Sequence, residues 1–314
     1  MWAAELRVPG SSPVLAEREP PAAPTGHTLV EVLAAPITPL DLLCATGTSY
    51  FGRPACPYVP GVQGVGVADG RLVWFPTSAG MAPGDGSMAQ YAVAAEVVPL
   101  PDGTDPAGFA ALGLSALAAF MALTWRGELA AGEQVIVLGA GGVVGQAAIQ
   151  LARLAGARRV IAAARSAGAR DRAAAADAVV ALDTDDVAVL AKRFADAADG
   201  PVDLVLDPLF GPPAAAAAKV LRPGGRLVNL GSAAAETCPL DSATLRGKPL
   251  RLLGYTNNEL TTRQRADAIG VLAGHAAAGE LSVTHEVVPL AEVGAAWQRQ
   301  RDGAASGRIV LRPS

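Results

Sequence analysis

The sequence predicts an α/β protein whose central part is a doubly wound parallel sheet, and three observations lead to that class. A glycine-rich turn separates the apolar run 135–138 from an apolar helical pattern at 143–155. Strand and helix patterns then alternate from about 134 to 254, as consecutive βαβ units do. Roughly the first 105 residues are instead rich in Pro and Gly with short apolar segments, which is typical of a separate β-rich lobe.

The alternating region begins with a helix and contains six expected strands. Asp105 can cap this helix and Pro106 can occupy its first turn, so we expect a helix from there to about Trp125. The expected strands are 134–138, 159–163, 178–182, 202–206, 225–230 and 250–254.

After Asn258 the pattern changes again, to a helix, a strand in "HEVVPL", a short helix and a closing strand in "GRIVLRP". We expect this tail to leave the parallel sheet and return to the first lobe. The expected organisation is therefore one domain at 1–108, a second at 109–256, and a C-terminal segment at 257–314 that completes the first.

Composition excludes several classes of protein. The net charge is −4 with 51% hydrophobic and 17% charged residues, and the absence of a basic stripe argues against a nucleic-acid partner. The apolar runs are short or bounded by Gly, Pro and Arg, so we expect no membrane span. The first residues lack a basic segment followed by an apolar core, and the three cysteines are scattered. These features predict a cytoplasmic protein without a disulfide framework.

The glycine-rich turn is typical of a dinucleotide-binding site. Gly139 allows a sharp turn, Gly142 lets backbone amides approach a pyrophosphate, and Gly145 lets the helix pack closely on the strand. A strict G-x-G-x-x-G pattern would need glycine where Val144 stands, so the spacing is G-x-x-G-x-x-G. The alternative is a tight β–α turn that holds no ligand.

The residues after the second expected strand of the sheet indicate which dinucleotide binds. An NAD site places Asp or Glu there, whereas this chain has Ala164-Arg165-Ser166. Arg165, with the Ser166 hydroxyl and Arg170 or Arg172, can hold a 2′-phosphate through charge-assisted hydrogen bonds. The prediction is NADP(H), and the alternative is that these arginines only solvate a loop.

Seven segments, in this order and spacing, resemble one protein family over nearly the whole chain. They are "VEVLAAPITPLDLLCATG", "YVPGVQGVGV", "AQYAVAAEVVPLPDG", "LGLSALAAFMAL", "AAGEQVIVLGAGGVVGQAAIQLARLAGA", "LRPGGRLVNLGS" and "PLAEVGAAWQRQRDGAASGRIVL". They resemble the medium-chain dehydrogenase/reductase superfamily, and within it the zinc-free quinone oxidoreductase and enoyl reductase branch. The resemblance implies a GroES-like β-barrel catalytic domain and a Rossmann domain with a doubly wound parallel sheet.

The resemblance also implies that this chain holds no catalytic metal. Zinc alcohol dehydrogenases of the superfamily have metal ligands at the positions that here are Thr38, Val62 and Gln63. These residues do not supply three converging zinc ligands. We expect Cys44 and Cys56, which lie nearby in the sequence, to be small core residues.

The activity that the resemblance implies is hydride transfer from NADPH to a small-molecule acceptor, either a quinone or an activated C=C bond. Tyr50, in "GTSYFG", matches the tyrosine that contributes to substrate binding or proton donation in many of these reductases. The alternative is that Tyr50 only lines the substrate site. Thr38 stands where the family often has Asn, and its hydroxyl can replace the donor of that amide.

The resemblance and the strand ends together give a set of expected cofactor contacts besides Arg165, Ser166 and Arg170. These are Gly139, Gly141, Gly142, Val143, Val144, Asp207, Gly231, Ser232, Tyr255, Asn257 and Arg308. Arg308 is expected to reach a cofactor phosphate or, equally, to form a surface salt bridge.

Two other functions and one assembly stay open at the level of sequence. The chain can be an enoyl reductase for a carrier-bound polyketide or fatty acyl thioester, or a protein that binds NADPH without turnover. The apolar segment "PLRLLGY" is expected at the edge of the parallel sheet, where an unpaired strand favours a homodimer.

Overall fold

The computed structural model describes residues 1–313, and the chain divides into two compact units. Unit 1 comprises Met1–Gly113 and the chain from Ile269 onward, and unit 2 comprises Leu114–Ala268. Each unit buries a hydrophobic core of its own.

The first part of unit 1 consists of short strands separated by turn residues. Its strands are β1 (Trp2–Glu5), β2 (Val14–Glu17), β3 (Thr28–Pro36), β4 (Gln63–Ala68), β5 (Arg71–Pro76), β6 (Tyr91–Ala94) and β7 (Val98–Pro99). Helix α1 (Pro39–Thr46) follows β3; it begins after the cap residue Thr38 and ends at Gly47, whose φ of +76° suits glycine.

Unit 2 is built on a six-stranded sheet in which every described neighbour is parallel. Its strands are β8 (Gln134–Leu138), β9 (Arg159–Ala164), β10 (Ala178–Ala181), β11 (Val202–Asp207), β12 (Leu221–Asn229) and β13 (Arg251–Gly254). Their order is β10-β9-β8-β11-β12-β13, which is the order of a doubly wound dinucleotide fold. The predicted α/β class and parallel sheet are therefore confirmed.

Helices cover this sheet or follow it in the chain. They are α3 (Val143–Leu154), α4 (Ala167–Asp171), α5 (Val187–Ala197), α6 (Gly211–Val220), α7 (Ser242–Gly247) and α8 (Thr262–Ala277). All five residues of β8 are buried, as expected for a central strand that has helices on both faces.

The last part of the chain completes the sheet of unit 1. It forms β14 (His285–Pro289), α9 (Val293–Arg301) and β15 (Arg308–Arg312). The sheet has the order β14-β15-β3-β4-β5-β7, and β6 also pairs with β3.

The helix expected from Pro106 to about Trp125 is interrupted. Helix α2 (Pro106–Met121) is kinked at Gly113, with φ +27° and ψ −125°, and continues as a π-helical turn at Ala122–Arg126. A Cβ at Gly113 would lie 1.9 Å from Gln63 Oε1, so the kink fits the helix against that side chain. The segment Pro106–Arg126 is apolar enough to cross a membrane, but 61% of its most apolar stretch is buried inside the protein.

The boundaries of the two units lie between residues 113 and 114 and between residues 268 and 269. The sequence pattern suggested boundaries at 108/109 and 256/257. The start of α2 stays with unit 1, where Gln63 Nε2 donates to Ala110 O at 3.4 Å. Asn257 stays with unit 2, where its Nδ2 donates to Leu114 O at 3.1 Å. These side-chain contacts could not be read from composition changes along the chain.

Strand β13 lies at an edge of the sheet, and we expect the protein to form a homodimer through it. Leu252 on this strand is 43% exposed, and the Leu252→Lys substitution should weaken the association, because a charge on an edge strand opposes pairing. The Leu154→Lys variant is the control, since Leu154 is 42% exposed but lies on α3. Light scattering at micromolar concentration measures the mass. A monomeric wild type would contradict the expectation.

Candidate functional site

The glycine turn between β8 and α3 is shaped by close contacts. Gly139 has φ +62°, and a Cβ there would lie 3.1 Å from atoms of Pro208 and Leu209. A Cβ at Gly145 would lie 2.4 Å from Ala140 Cα, so only glycine lets α3 pack this closely on the turn. This matches the role that the sequence predicted for Gly145.

The start of α3 offers backbone donors next to this turn. Gly142 precedes the helix in an extended conformation and makes no side-chain cap, so the amides of Val143 and Val144 begin a helix whose first N–H groups have no acceptor within it. The helix dipole adds partial positive charge at the same point. A pyrophosphate is the ligand that such a terminus binds in dinucleotide folds.

A cavity of about 340 Å³ opens beside the turn. Its walls come from the residues that follow β8, β9, β10, β11 and β12, which are the carboxyl ends of the sheet. The lining residues are Gly139, Gly141, Gly142, Ala164, Arg165, Ala169, Arg172, Leu182, Thr184, Asp185, Leu209, Pro213, Ala233 and Ala234. The structure therefore brings the glycine turn and Arg165 together in one site.

Of Arg165, Ser166 and Arg170, which were expected to hold a 2′-phosphate, Arg165 is the residue that lines the cavity. It lines the cavity and is exposed, and within residues 1–313 its guanidinium makes no hydrogen bond or ion pair. Ser166 instead caps α4, because its Oγ accepts from Ala169 N at 3.2 Å. Arg170 donates to Arg165 O at 2.6 Å, so it supports the backbone at this position.

Arg172 is the second arginine of the cavity. Its Nε donates to Gly141 O at 3.0 Å, and Gln146 Nε2 donates to the same carbonyl at 3.1 Å. A Cβ at Gly141 would lie 2.4 Å from Ala169 Cβ, so α4 packs directly on the glycine turn. The sequence offered Arg170 and Arg172 as equivalent choices, and the structure places Arg172 in the cavity.

Asp207 lies at the end of β11 but points into the protein. Its Oδ1 accepts from Leu209 N at 3.0 Å and from Phe210 N at 2.8 Å, and its Oδ2 accepts from Asn229 Nδ2 at 2.9 Å. Burial raises the pKa of this carboxyl, and these hydrogen bonds act in the opposite direction. The side chain is fully buried, so its placement is that of a residue that supports the loop rather than one that touches a cofactor.

The loop after β12 is also held internally at the positions named from the sequence. Gly231 O accepts from Asn229 Nδ2 at 2.8 Å, and Ser232 Oγ donates to Glu236 Oε1 at 2.8 Å. The next two residues, Ala233 and Ala234, line the cavity instead. Sequence reasoning missed them because alanine carries no chemical signal.

Tyr255 and Asn257, after β13, form a separate polar contact. Tyr255 Oη donates to Asn257 Oδ1 at 2.6 Å, and the Tyr255 ring meets the edge of Trp125 at a centroid distance of 6.4 Å. Arg126 stacks on Trp125 with its Cζ 4.3 Å from the ring centroid. Neither Tyr255 nor Asn257 lines the cavity described above.

In unit 1, Thr38 is buried and its hydroxyl is already used. It donates to Asp41 Oδ2 at 2.6 Å and accepts from Asp41 N at 3.2 Å. Asp41 Oδ2 also accepts from Thr38 N at 2.8 Å, which completes a capping box at the start of α1. Asp41 Oδ1 accepts from the amides of Gly61 at 3.1 Å and Val62 at 2.9 Å. Burial raises the pKa of Asp41, while the hydrogen bonds of Thr38 and Val62 and the nearby Arg308 lower it.

Arg308 lies beside this carboxylate in the interior of unit 1. Its Nη1 donates to Ile37 O at 2.8 Å, and the residue is only 4% exposed. Burial lowers the pKa of its guanidinium to about 10, and the charge of Asp41 opposes that shift. This placement argues against both expectations for Arg308, a cofactor phosphate contact and a surface salt bridge.

The positions at which zinc enzymes hold their metal have other partners here. Gln63 Oε1 accepts from Trp74 Nε1 at 2.7 Å. The Thr38 hydroxyl and the Val62 backbone amide both donate hydrogen bonds to the Asp41 carboxylate. Among residues 1–313 no group of three or more His, Cys, Asp and Glu side chains is placed to hold a metal. Cys44 is buried, and burial raises the pKa of its thiol to about 11.

Tyr50 lies in the turn after α1 and is 76% exposed. Its ring contacts that of Phe51 at a centroid distance of 4.1 Å. Partial burial, followed by the nearby Cys44, raises the pKa of the Tyr50 phenol. The hydroxyl is therefore protonated at neutral pH and available as a donor.

Comparisons with known proteins agree with this fold. A family model described as zinc-binding dehydrogenase matches residues 143–272, a region that excludes Thr38, Val62 and Gln63. The quinone oxidoreductase of Thermus thermophilus, whose structures include a complex with NADPH, is 30% identical. It covers 99% of this chain, the chain covers 100% of it, and the TM-score is 0.83.

Two further relatives are similar in sequence. The quinone oxidoreductase of Rattus norvegicus is 29% identical over 225 residues, which are 67% of this chain and 66% of that protein. The spectinabilin polyketide synthase system protein NorB of Streptomyces orinoci is 34% identical over 247 residues, which are 74% of this chain but 10% of that protein. The chain thus spans a small part of the polyketide synthase protein.

Together, the two units have the GroES-like and Rossmann folds of the medium-chain oxidoreductases. The chain belongs to the medium-chain dehydrogenase/reductase superfamily and, within it, to the quinone oxidoreductase branch. The expected family and fold are confirmed.

The residues at the zinc positions generate a prediction about metal content. We expect the purified protein to contain far less than one zinc per chain, because Thr38, Val62 and Gln63 offer no converging set of ligands. Elemental analysis after expression in zinc-supplemented medium measures this. Treatment with a chelator should leave both activity and the unfolding temperature unchanged. About one tightly bound zinc per chain would contradict the prediction.

Proposed function

We propose that this chain is an NADPH-dependent, zinc-independent reductase that transfers hydride to a quinone or to an activated C=C bond of an enone or enoyl substrate. The observation that carries the proposal is the end of β9, where Ala164 and Arg165 line the same cavity as the glycine turn. A carboxylate at this point would favour NADH, whereas a free guanidinium favours a 2′-phosphate.

The residues of the cavity fit the cofactor. The glycine turn lets the walls of the cavity pack closely on it, because side chains at Gly139 and Gly141 would meet neighbouring protein atoms, and the start of α3 beside it offers backbone amides to a pyrophosphate. Arg165 and Arg172 supply the positive charge. Apolar walls from Leu182, Leu209 and Pro213 suit a flat base such as adenine. The NADPH complex of the Thermus thermophilus relative supports this choice.

The reduced nicotinamide supplies the hydride, and the chain has to orient the acceptor and stabilise the oxygen on which charge develops. Tyr50 is suited to the second task, since its phenol is protonated and exposed. It can donate a hydrogen bond to the acceptor carbonyl or enolate, and it or water supplies the proton. Thr38 then acts through Asp41, because its hydroxyl is committed to that carboxylate.

The proposal includes a cellular compartment and an oligomeric state. Cys44, Cys56 and Cys238 are all free, in keeping with a reducing compartment such as the cytoplasm. The partner is a second copy of the chain, and the substrate is a small molecule.

A second candidate is an enoyl reductase that acts on a carrier-bound polyketide or fatty acyl thioester. The similarity to the polyketide synthase protein NorB favours it. The chemistry at the acceptor is the same, so the two candidates differ in how the acyl chain is presented. A comparison of a free enoyl thioester with the same acyl group on a carrier protein separates them.

A third candidate is a protein that binds NADPH without turnover. The buried, fully engaged hydroxyl of Thr38 favours it. Incubation with NADPH and a panel of quinones, enones and enoyl thioesters tests this candidate. Loss of NADPH absorbance with any acceptor would exclude it.

The Arg165→Ala variant tests the cofactor assignment. Loss of one charged hydrogen-bonding partner costs about 1.5–3 kcal/mol, so NADPH binding should weaken roughly 10- to 100-fold. NADH binding should stay nearly unchanged, because NADH has no phosphate at this position. The control is Arg263→Ala, which removes an exposed arginine on α8 that pairs with Asp267. Calorimetric titration of both cofactors measures the effect, and equal weakening of both would overturn the NADPH assignment.

The Tyr50→Phe variant tests the proposed donor. Turnover on enones and enoyl thioesters should fall about 10- to 100-fold, the scale of one lost transition-state hydrogen bond, and quinones should be affected less. Tyr91→Phe is the control, since Tyr91 lies on β6 and is also partly exposed. Unchanged steady-state kinetics on every substrate class would leave Tyr50 as a wall of the substrate site.

A further inference from the structure

Phe210 has a backbone conformation that residues other than glycine rarely adopt. Its φ is +59° and its ψ is −164°, a region that is essentially restricted to glycine and that strains the backbone of other residues. Phe210 immediately precedes α6, and its ring is partly buried against the hydrophobic core of unit 2. The strain therefore has to be balanced by contacts of the same turn.

Asp207 supplies those contacts. Its Oδ1 accepts from the amide of Phe210 itself at 2.8 Å and from Leu209 N at 3.0 Å. Its other oxygen is held by Asn229 Nδ2 at 2.9 Å. Because the carboxylate is fully buried, its hydrogen bonds fix the turn from Asp207 to Gly211 in one conformation.

This turn contributes to the wall of the cofactor cavity through Leu209. Pro208 and Leu209 carry the atoms that a Cβ at Gly139 would meet at 3.1 Å. On the other side, Pro208 O accepts from Ala233 N at 3.2 Å and Leu209 O accepts from Ala234 N at 2.9 Å. Leu209, Ala233 and Ala234 all line the cavity. The turn thus determines the positions of two of its walls relative to the glycine turn.

We propose that the strained turn at Asp207–Gly211 positions the dinucleotide. The strain lowers the stability of the free protein, but the strained turn holds Leu209 and the loop after β12 against the glycine turn. Asp207 and Phe210 are positioning residues and do not touch the cofactor. This inference rests on the proposed function, but it concerns the part of the cavity common to NADPH and NADH. It assigns Asp207 a different role from the direct cofactor contact expected from the sequence.

The test compares two substitutions at one position. Phe210→Gly removes the steric strain, and Phe210→Ala keeps it, while both lack the aromatic ring. The free Phe210→Gly variant should therefore unfold about 2–4 °C higher than Phe210→Ala. It should bind NADPH and NADH about fivefold more tightly than Phe210→Ala, since only glycine adopts the positioned conformation of the turn without strain.

A matched pair elsewhere separates strain from positioning. Asp69, between β4 and β5 of unit 1, has φ +50°. Asp69→Gly should likewise unfold at a higher temperature than Asp69→Ala, but the two should bind both dinucleotides equally. Asp207→Ala removes the acceptor of the turn and should weaken both dinucleotides roughly 10- to 100-fold.

The outcomes are distinct. Equal affinities of Phe210→Gly and Phe210→Ala, or an Asp207→Ala variant that unfolds earlier but binds as wild type does, would overturn the positioning role and leave only a cap for α6. If only the NADPH assignment is wrong, the wild type will bind NADPH and NADH with equal affinity. The ratio of the dinucleotide affinities of Phe210→Gly and Phe210→Ala still tests the turn in that case. A wild type that binds neither dinucleotide would overturn the proposed function and this inference with it.

Discussion

The close approach of neighbouring backbone to the glycine turn is the constraint on which unit 2 depends. A Cβ at Gly141 or at Gly145 would lie 2.4 Å from its nearest neighbour, so α3 and α4 reach their positions only because these residues lack side chains. The cavity exists because both helices pack this closely. Arg165 directly follows the end of β9, and Arg172 directly follows the end of α4.

Two buried aspartates hold the loops of the two units in similar ways. Asp41 in unit 1 accepts from the amides of Thr38, Gly61 and Val62, and Asp207 in unit 2 accepts from Leu209, Phe210 and Asn229. In each case burial raises the pKa of the carboxyl, and the hydrogen bonds favour its charged form. Loss of either side chain would leave several buried amides without an acceptor, which is more costly than loss of an exposed ion pair.

The sequence was sufficient to predict what depends on residue spacing. The strands of the parallel sheet, the glycine turn and the family are visible because apolar periods and glycine positions act locally. Side-chain direction is not local, and for that reason the sequence could not show that the side chains of Asp207 and Arg308 are buried inside the protein. The φ of Phe210 was also beyond prediction, because an aromatic residue gives no sign of a conformation that glycine prefers.

Selectivity for a 2′-phosphate at the end of β9 is the central claim, and it can be measured without catalysis or the nicotinamide. Calorimetric titration of the wild-type protein with 2′,5′-ADP and with 5′-AMP compares two ligands that differ only in that phosphate. We expect 2′,5′-ADP to bind roughly 10- to 100-fold more tightly, on the scale of one charge-assisted contact, with the difference shrinking as salt is raised. Equal affinity for the two nucleotides would contradict the account.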